Sequence, residues 1–169
     1  GREFTVSVNS PMRSLEDPEF PTFVVSTCTE YGIEARHLVF EIAERDIHDT
    51  ASVTVAIERV AATGATVSVD DFGAGHATFE RLRWHDVDQL KLDREAIRFA
   101  VERVRDRSIL TSVLRLASEL DYEVVAEGVE TAEQADLLRS LGCRRAQGFL
   151  YAKAMPLEEL IALEAHETV

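Results

Sequence analysis

Short β-rich apolar runs alternate with helical periodicity along the whole chain. The first run is Phe4–Asn9, and a helix is expected over about 18–32. The second run is His37–Ala43. Its helix carries Val53, Ile57, Val60 and Ala61 at i, i+4, i+7 and i+8, one buried stripe, with Gly64 where a helix commonly stops. The third run, Ala65–Asp71, leads into Phe72-Gly73-Ala74-Gly75, and the fourth is Asp88–Asp93. A long helical stretch follows, with Ile109, Val113, Leu116, Ala117 and Leu120 spaced for one face. The fifth run is Glu123–Glu127, and Gly142 closes a helix over 131–141. The sixth is Cys143–Gln147, before a last helix over about 157–166. Six βα units in series predict an α/β fold, a parallel sheet with helices packed outside it. No Pro/Ser/Gly-rich linker interrupts them, so residues 1–169 read as a single domain.

Each run is apolar and then ends in a polar or charged residue: Asn9, Glu41 with Glu44, Asp70 with Asp71, Lys91 with Asp93, Glu127, and Gln147. In parallel α/β folds the C-terminal strand ends share one face, where active sites are built. A lone acidic residue after a strand is usually the N-cap of the next helix, and a lone Lys91 or Gln147 would be a surface residue. Glu41 resists that reading, because Phe40 and Ile42 flank it and an unpaired carboxylate there would be costly. Glu127, beside Ala126 and Gly128, poses the same problem. Six repetitions of the pattern favour a functional cluster.

Composition narrows the classes. The chain has 169 residues, 46% of them apolar, enough for one sizeable core but short of the roughly 250 of a closed (β/α)8 barrel. With 31 acidic against 18 basic residues the net charge is −13, which argues against generic nucleic-acid or anionic-membrane binding. Cys28 and Cys143 form no metal-ligand spacing, and a reduced intracellular protein is expected. No apolar run in this segment approaches 18 residues, so none of it is expected to cross a membrane, while an anchor elsewhere in a longer parent stays open.

Oxygen donors without His or Cys select hard divalent cations, Mg²⁺ or Mn²⁺ rather than zinc. Adjacent Asp70 and Asp71 suit two cations held close together, and Lys91 adds a fixed positive charge for water or phosphate oxygens. The chemistry expected of such a set is metal-dependent phosphodiester hydrolysis.

The same residues carry a resemblance to a known family. Ser7-Val8-Asn9, Phe40-Glu41-Ile42-Ala43-Glu44, Asp70-Asp71-Phe72-Gly73-Ala74-Gly75, Lys91-Leu92-Asp93, Ala126-Glu127-Gly128-Val129-Glu130-Thr131 and Gln147-Gly148-Phe149-Leu150 resemble, in order, the signature strands of the EAL domain. Spacing matches as well: 32 residues from Asn9 to Glu41, 29 to Asp70, 20 from Asp71 to Lys91, 36 to Glu127 and 20 to Gln147. The resemblance implies a TIM-like (β/α) barrel, here about six of its eight units, that hydrolyses cyclic di-GMP to linear pGpG with two Mg²⁺ or Mn²⁺ ions. It implies metal binding by Asn9, Glu41, Asp70, Asp71 and Glu127, and catalytic roles for Lys91, Glu127 and Gln147. It further implies a loop anchor in Glu44 and substrate contacts at Asp93, Glu130 and Gly148. A bacterial cytoplasmic setting, a homodimer through the loop after Asp71, and a fused GGDEF or sensory domain upstream go with the family.

The tripeptide Glu-Ala-Leu does not occur in these 169 residues, and Glu164-Ala165-His166 falls in the last helix. The family's Glu-Ala-Leu strand is expected upstream of residue 1, with one metal-ligating glutamate, so this segment alone is expected to hydrolyse cyclic di-GMP poorly. Two further departures bear on nucleotide affinity and loop closure. His76-Ala77-Thr78 replaces the usual Tyr-Ser-Ser, and Ala152-Lys153-Ala154 the usual Ser-Arg-Pro. The alternative is a non-catalytic cyclic di-GMP receptor or a regulatory or dimerisation module.

Overall fold

The computed structural model describes residues 4–48, 50–73 and 87–166. Six strands form one parallel sheet in sequential order: β1 (Val6–Asn9), β2 (Leu38–Ala43), β3 (Thr66–Phe72), β4 (Gln89–Leu92), β5 (Glu123–Ala126) and β6 (Arg145–Ala146). The helices between and after them are α1 (Met12–Glu16), α2 (Phe20–Tyr31), α3 (Ala51–Ala61), α4 (Arg94–Glu102), α5 (Val104–Glu119), α6 (Ala132–Ser140) and α7 (Leu157–His166). Sequential parallel order is what successive crossovers of one hand produce, and the expected α/β architecture is present.

The alternation of side chains along each strand sorts the two faces. Phe40 and Ile42, Val67 and Val69, and Leu90 and Leu92 turn to one side and are buried with Ile57, Val60, Ile97 and Leu110 of the helices in a single core. The intervening residues line the other face. In-register pairing sets Glu41 beside Ser68, Ser68 beside Gln89, and Gln89 beside Glu123. The apolar half of each strand holds the helices on, and the polar half is left for chemistry.

Several expected elements shift. The helix expected over about 18–32 is α2, which starts at Phe20 and ends on left-handed Gly32, and the short α1 before it was not expected; Asp17, which is extended, and Pro18, which cannot continue a hydrogen-bonded turn, separate the two. On α3, Val53, Ala56, Ile57 and Val60 are buried, with Ala61 at the margin. The long helical stretch breaks at Arg103, which is extended, into α4 and α5. On α5 the buried stripe is Leu110, Leu114 and Ala117, whereas Ile109 is 55% exposed and Leu120 46%. Ile109 and Leu110 are both apolar, so two stripes about 100° apart were available, and packing on the sheet selects the second. β6 is shorter than its run suggests: the Cys143 N–H is still taken by the Leu138 carbonyl of α6, and the last ladder bond falls at Gln147, just before Gly148, φ 152°.

Residues 74–86, which carry Ala74-Gly75 of the loop and His76-Ala77-Thr78, lie outside the described residues. Among the described residues no helix is long and apolar enough to cross a membrane.

Candidate active site

The polar strand ends meet as the sheet curves. Glu41 sits within β2 in register with Asn9 of β1, and the N–H of Ser10 donates to the Glu41 carbonyl at 2.8 Å. Asp70 lies beside Ala43, and Lys91 beside Val125. The Glu127 N–H donates to the Leu92 carbonyl at 3.0 Å, and the Gln147 N–H to the Ala126 carbonyl at 2.8 Å. These bonds extend the ladder one residue past each strand and set Glu127 and Gln147 two residues beyond the register position of Lys91, on the same face of the sheet.

Three carboxylates then converge on one ammonium. Lys91 Nζ lies 2.8 Å from Glu41 Oε2, 3.4 Å from Asp70 Oδ1 and 2.5 Å from Glu127 Oε1. The Gln147 Nε2 amide donates to the same Glu127 Oε1. Glu41 and Lys91 side chains are each only 7% exposed, which answers the cost of a charged residue between Phe40 and Ile42: the charge is paired. Burial alone would depress the Lys91 ammonium, but hydrogen bonds and charge from Glu127 and Glu41 outweigh it and hold Lys91 above its usual range. Burial pushes the Glu127 carboxyl up, and the charges of Asp70 and Glu41 add to this against the pull of Lys91. Asp71 is also raised, by burial and by the charges of Asp70 and Asp93. One ammonium among several carboxylates leaves an excess of negative charge, and that excess fits a dication.

Other expected positions fall around this centre. β3 bulges near its end: Val69 pairs with Leu90 but Phe72 with Leu92, so β3 holds one residue more than β4. Asp71, at φ 59°, lies in that step, exposed, and its N–H donates to Asp70 Oδ1 at 3.0 Å. Glu44 is buried, and its Oε2 accepts the Gly73 N–H at 3.3 Å, while the loop it was expected to anchor lies outside the described residues. Asp93 Oδ1 accepts the Glu95 N–H at 2.7 Å, capping α4. The Glu130 side chain is exposed, and its backbone N–H donates to Gln134 Oε1 at 2.7 Å beside the capping box of α6. A Cβ on Gly148 would fall 2.3 Å from the Val129 backbone, so packing by itself accounts for a glycine there. Asn9 is exposed at the sheet edge.

A tier of polar residues below the cluster was missed from sequence. Gln89 Nε2 donates to Glu123 Oε2 at 3.0 Å, Arg145 Nε lies 2.6 Å from Glu123 Oε1, and the Ser68 hydroxyl is fully buried with no hydrogen-bond partner among the described residues. The signal was present: Gln89, Ser68 and Glu123 sit two or four residues before Lys91, Asp70 and Glu127, hence on the same face. A cavity of about 400 Å³ opens on this face, lined by Thr5, Ser7, Glu41, Gln89, Lys91 and Gln147 among others. The larger cleft of about 700 Å³, lined by Arg115, Tyr122 and Cys143, contains none of the converging groups.

The donors are carboxylate and amide oxygens, which suits Mg²⁺ or Mn²⁺. Among the described residues, no group of three or more His, Cys, Asp or Glu side chains is already arranged to hold an ion. Lys91 stands between the carboxylates that would do so.

The EAL domain family matches residues 1–154, and the chain belongs to that family. It is 31% identical to the bifunctional diguanylate cyclase/cyclic di-GMP phosphodiesterase MucR of Pseudomonas aeruginosa, over 95% of this chain and 24% of that protein. The crystal structure of the EAL domain of Mycobacterium smegmatis DcpA superposes with a TM-score of 0.88 at 31% identity, covering 98% of this chain and 74% of that one. The manganese/cyclic di-GMP complex of Klebsiella pneumoniae BlrP1 at pH 9.0 gives a TM-score of 0.78 at 27% identity, covering 88% and 38%. The chain thus spans about a quarter of the length of the curated relatives it matches.

Proposed function

We propose that this chain provides the catalytic face of a phosphodiesterase that opens cyclic di-GMP to linear pGpG. The observation that carries the reading is the convergence of Glu41, Asp70 and Glu127 on Lys91 at the strand ends of an EAL domain. Hydrolysis breaks one of the two ring phosphodiesters: the oxygen of water bonds to phosphorus, the 3′-oxygen departs and takes up a proton, and a 5′-phosphate remains. In this reading Asn9, Glu41, Asp70, Asp71 and Glu127 would hold one or two Mg²⁺ or Mn²⁺ ions. Such ions, when bound, polarise the water and the phosphoryl oxygens.

The protein's own groups supply placement. Lys91 offers a buried positive charge and N–H donors to the attacking water and the phosphate. Gln147 fixes the Glu127 carboxylate by hydrogen bonding to it. Glu44 holds the backbone at Gly73, where β3 gives way to the following loop. Asp93, Glu130 and Gly148 lie next to these groups in sequence, and contact with the nucleotide is part of the proposal. So are a bacterial cytoplasmic setting, a homodimer and a fused GGDEF or sensory domain.

The test is chromatography of cyclic di-GMP after incubation with Mn²⁺ and the protein carrying this chain. We expect pGpG from the wild type and a loss of about 10²–10⁴-fold with Lys91→Met. Tight binding of intact cyclic di-GMP without turnover would make the protein a receptor. Near-normal turnover by Lys91→Met would remove the role given to Lys91.

A further inference from the structure

We infer that the Lys91 ammonium is also an internal counter-cation, which occupies the dication site in the metal-free protein and is exchanged for metal on loading. This rests on the reading of the cluster as a cation site. An ammonium has three N–H donors and no acceptor, and Lys91 faces three carboxylate oxygens, at 2.8, 3.4 and 2.5 Å. Glu41 and Glu127 meet the ammonium at hydrogen-bond distance, and Asp70 adds a longer ion pair. A water or phosphate oxygen has to compete with these carboxylates for the ammonium.

The same contacts offset the repulsion among the carboxylates of the cluster. Two of its members, Glu41 and Lys91, are 7% exposed, and carboxylates gathered at that depth without a cation would repel one another. Lys91 extends from β4, the strand between those of Asp70 and Glu127, and Glu41 reaches it from β2 across β3. The ammonium thus holds donors from β2, β3 and the end of β5 together. A dication has to displace it, and apparent affinity is lowered by the fraction of molecules whose site is taken.

Two measurements on the protein carrying this chain test the exchange, neither of which reads turnover. In the first, Mn²⁺ binding is followed by calorimetry or by the EPR signal of free Mn²⁺, for wild type and for Lys91→Met, which keeps the unbranched stem, one atom shorter, without its charge. We expect Lys91→Met to bind Mn²⁺ about tenfold more tightly or better, and its EDTA-treated form to melt below the wild type. Binding by the wild type with equal or weaker binding by Lys91→Met overturns the exchange while leaving the cation site standing. Absence of binding in both proteins defeats the functional reading and this inference together.

The second measurement reads the wild type itself. In metal-free ¹⁵N-labelled wild type, the Lys91 ammonium should give a slowly exchanging signal, assigned by its loss in Lys91→Arg. Saturating Mg²⁺ should shift or abolish it. A signal unmoved by Mg²⁺ that binds would show that the ammonium stays in place, and would overturn the inference.

Discussion

Glu44 and Gly73, 29 residues apart, are joined by a 3.3 Å hydrogen bond from the glycine N–H to the glutamate Oε2. The carboxylate is buried just past the end of β2, and the amide follows the last residue of β3. The bond ties two neighbouring strand ends together at the edge of the site. Glu44→Ala should cost about 1–3 kcal/mol, since the Gly73 N–H loses its acceptor in a partly buried position. Urea denaturation checks the magnitude, and amide exchange at Gly73 checks the location. Glu44→Gln should recover most of the loss, because its amide oxygen can still accept.

Gln147 should matter to cation binding without touching the cation. Its side-chain amide donates to the Glu127 oxygen that also meets Lys91. Partners that orient a ligating group typically change affinity by about 10–100-fold when removed. We expect that loss in Mn²⁺ binding for Gln147→Ala, with an unchanged melting temperature in EDTA. Equal affinity would mean that Lys91 alone orients Glu127.

Gly148→Ala should destabilise the fold whatever it does to the nucleotide. The new methyl would lie 2.3 Å from the nitrogen and oxygen of Val129, and φ 152° is strained for any side chain. Val129 is itself fully buried, and its N–H donates to the Gln147 carbonyl at 3.0 Å, so neither partner can retreat cheaply. A loss of about 3 kcal/mol or more is expected in urea denaturation. A variant as stable as the wild type would show that the chain relaxes around Val129.

Cys143 should be a sluggish thiol. Burial raises its pKa, more than the opposing hydrogen-bonding contacts with the Arg145 and Ala126 backbone lower it. The folded state therefore keeps the proton at pH values where an unfolded chain has begun to lose it. The sign follows: stability is undiminished below the ordinary thiol range and falls as pH rises through and above it. Iodoacetamide at pH about 8.5, near the ordinary thiol value, should modify Cys143 several-fold more slowly in the folded protein than in urea. Equal rates would contradict the half-buried, protonated thiol.

The sheet and the cluster were legible because period-2 alternation places a polar residue where a strand would otherwise stay apolar. Glu41 between Phe40 and Ile42 announced a partner, and Lys91 is that partner. What the sequence did not disclose was depth. Gln89, Ser68 and Glu123 obey the same alternation, but an uncharged glutamine or a serine in a strand raises no alarm until its neighbours are known. The α5 face was hidden for a different reason: adjacent Ile109 and Leu110 make two stripes equally apolar, and only contact with the sheet decides between them.

The extra residue in β3 has a consequence for chain length. A strand of strict alternation would turn Asp70 and Asp71 to opposite faces and then return Phe72 to the side of Asp70. The bulge breaks that rhythm, leaving Asp71 in solvent and Phe72 at 2% exposure in the core. Deleting Asp71 would therefore mend the hydrogen-bond ladder, with Asp70 still on the polar face and Phe72 still among the helices. Inserting one more residue there would instead swing Phe72 out of the core. The sheet itself gains nothing from the surplus residue, which sits at a left-handed φ of 59°. What it adds is a second carboxylate beside Asp70, whose Oδ1 accepts the Asp71 N–H.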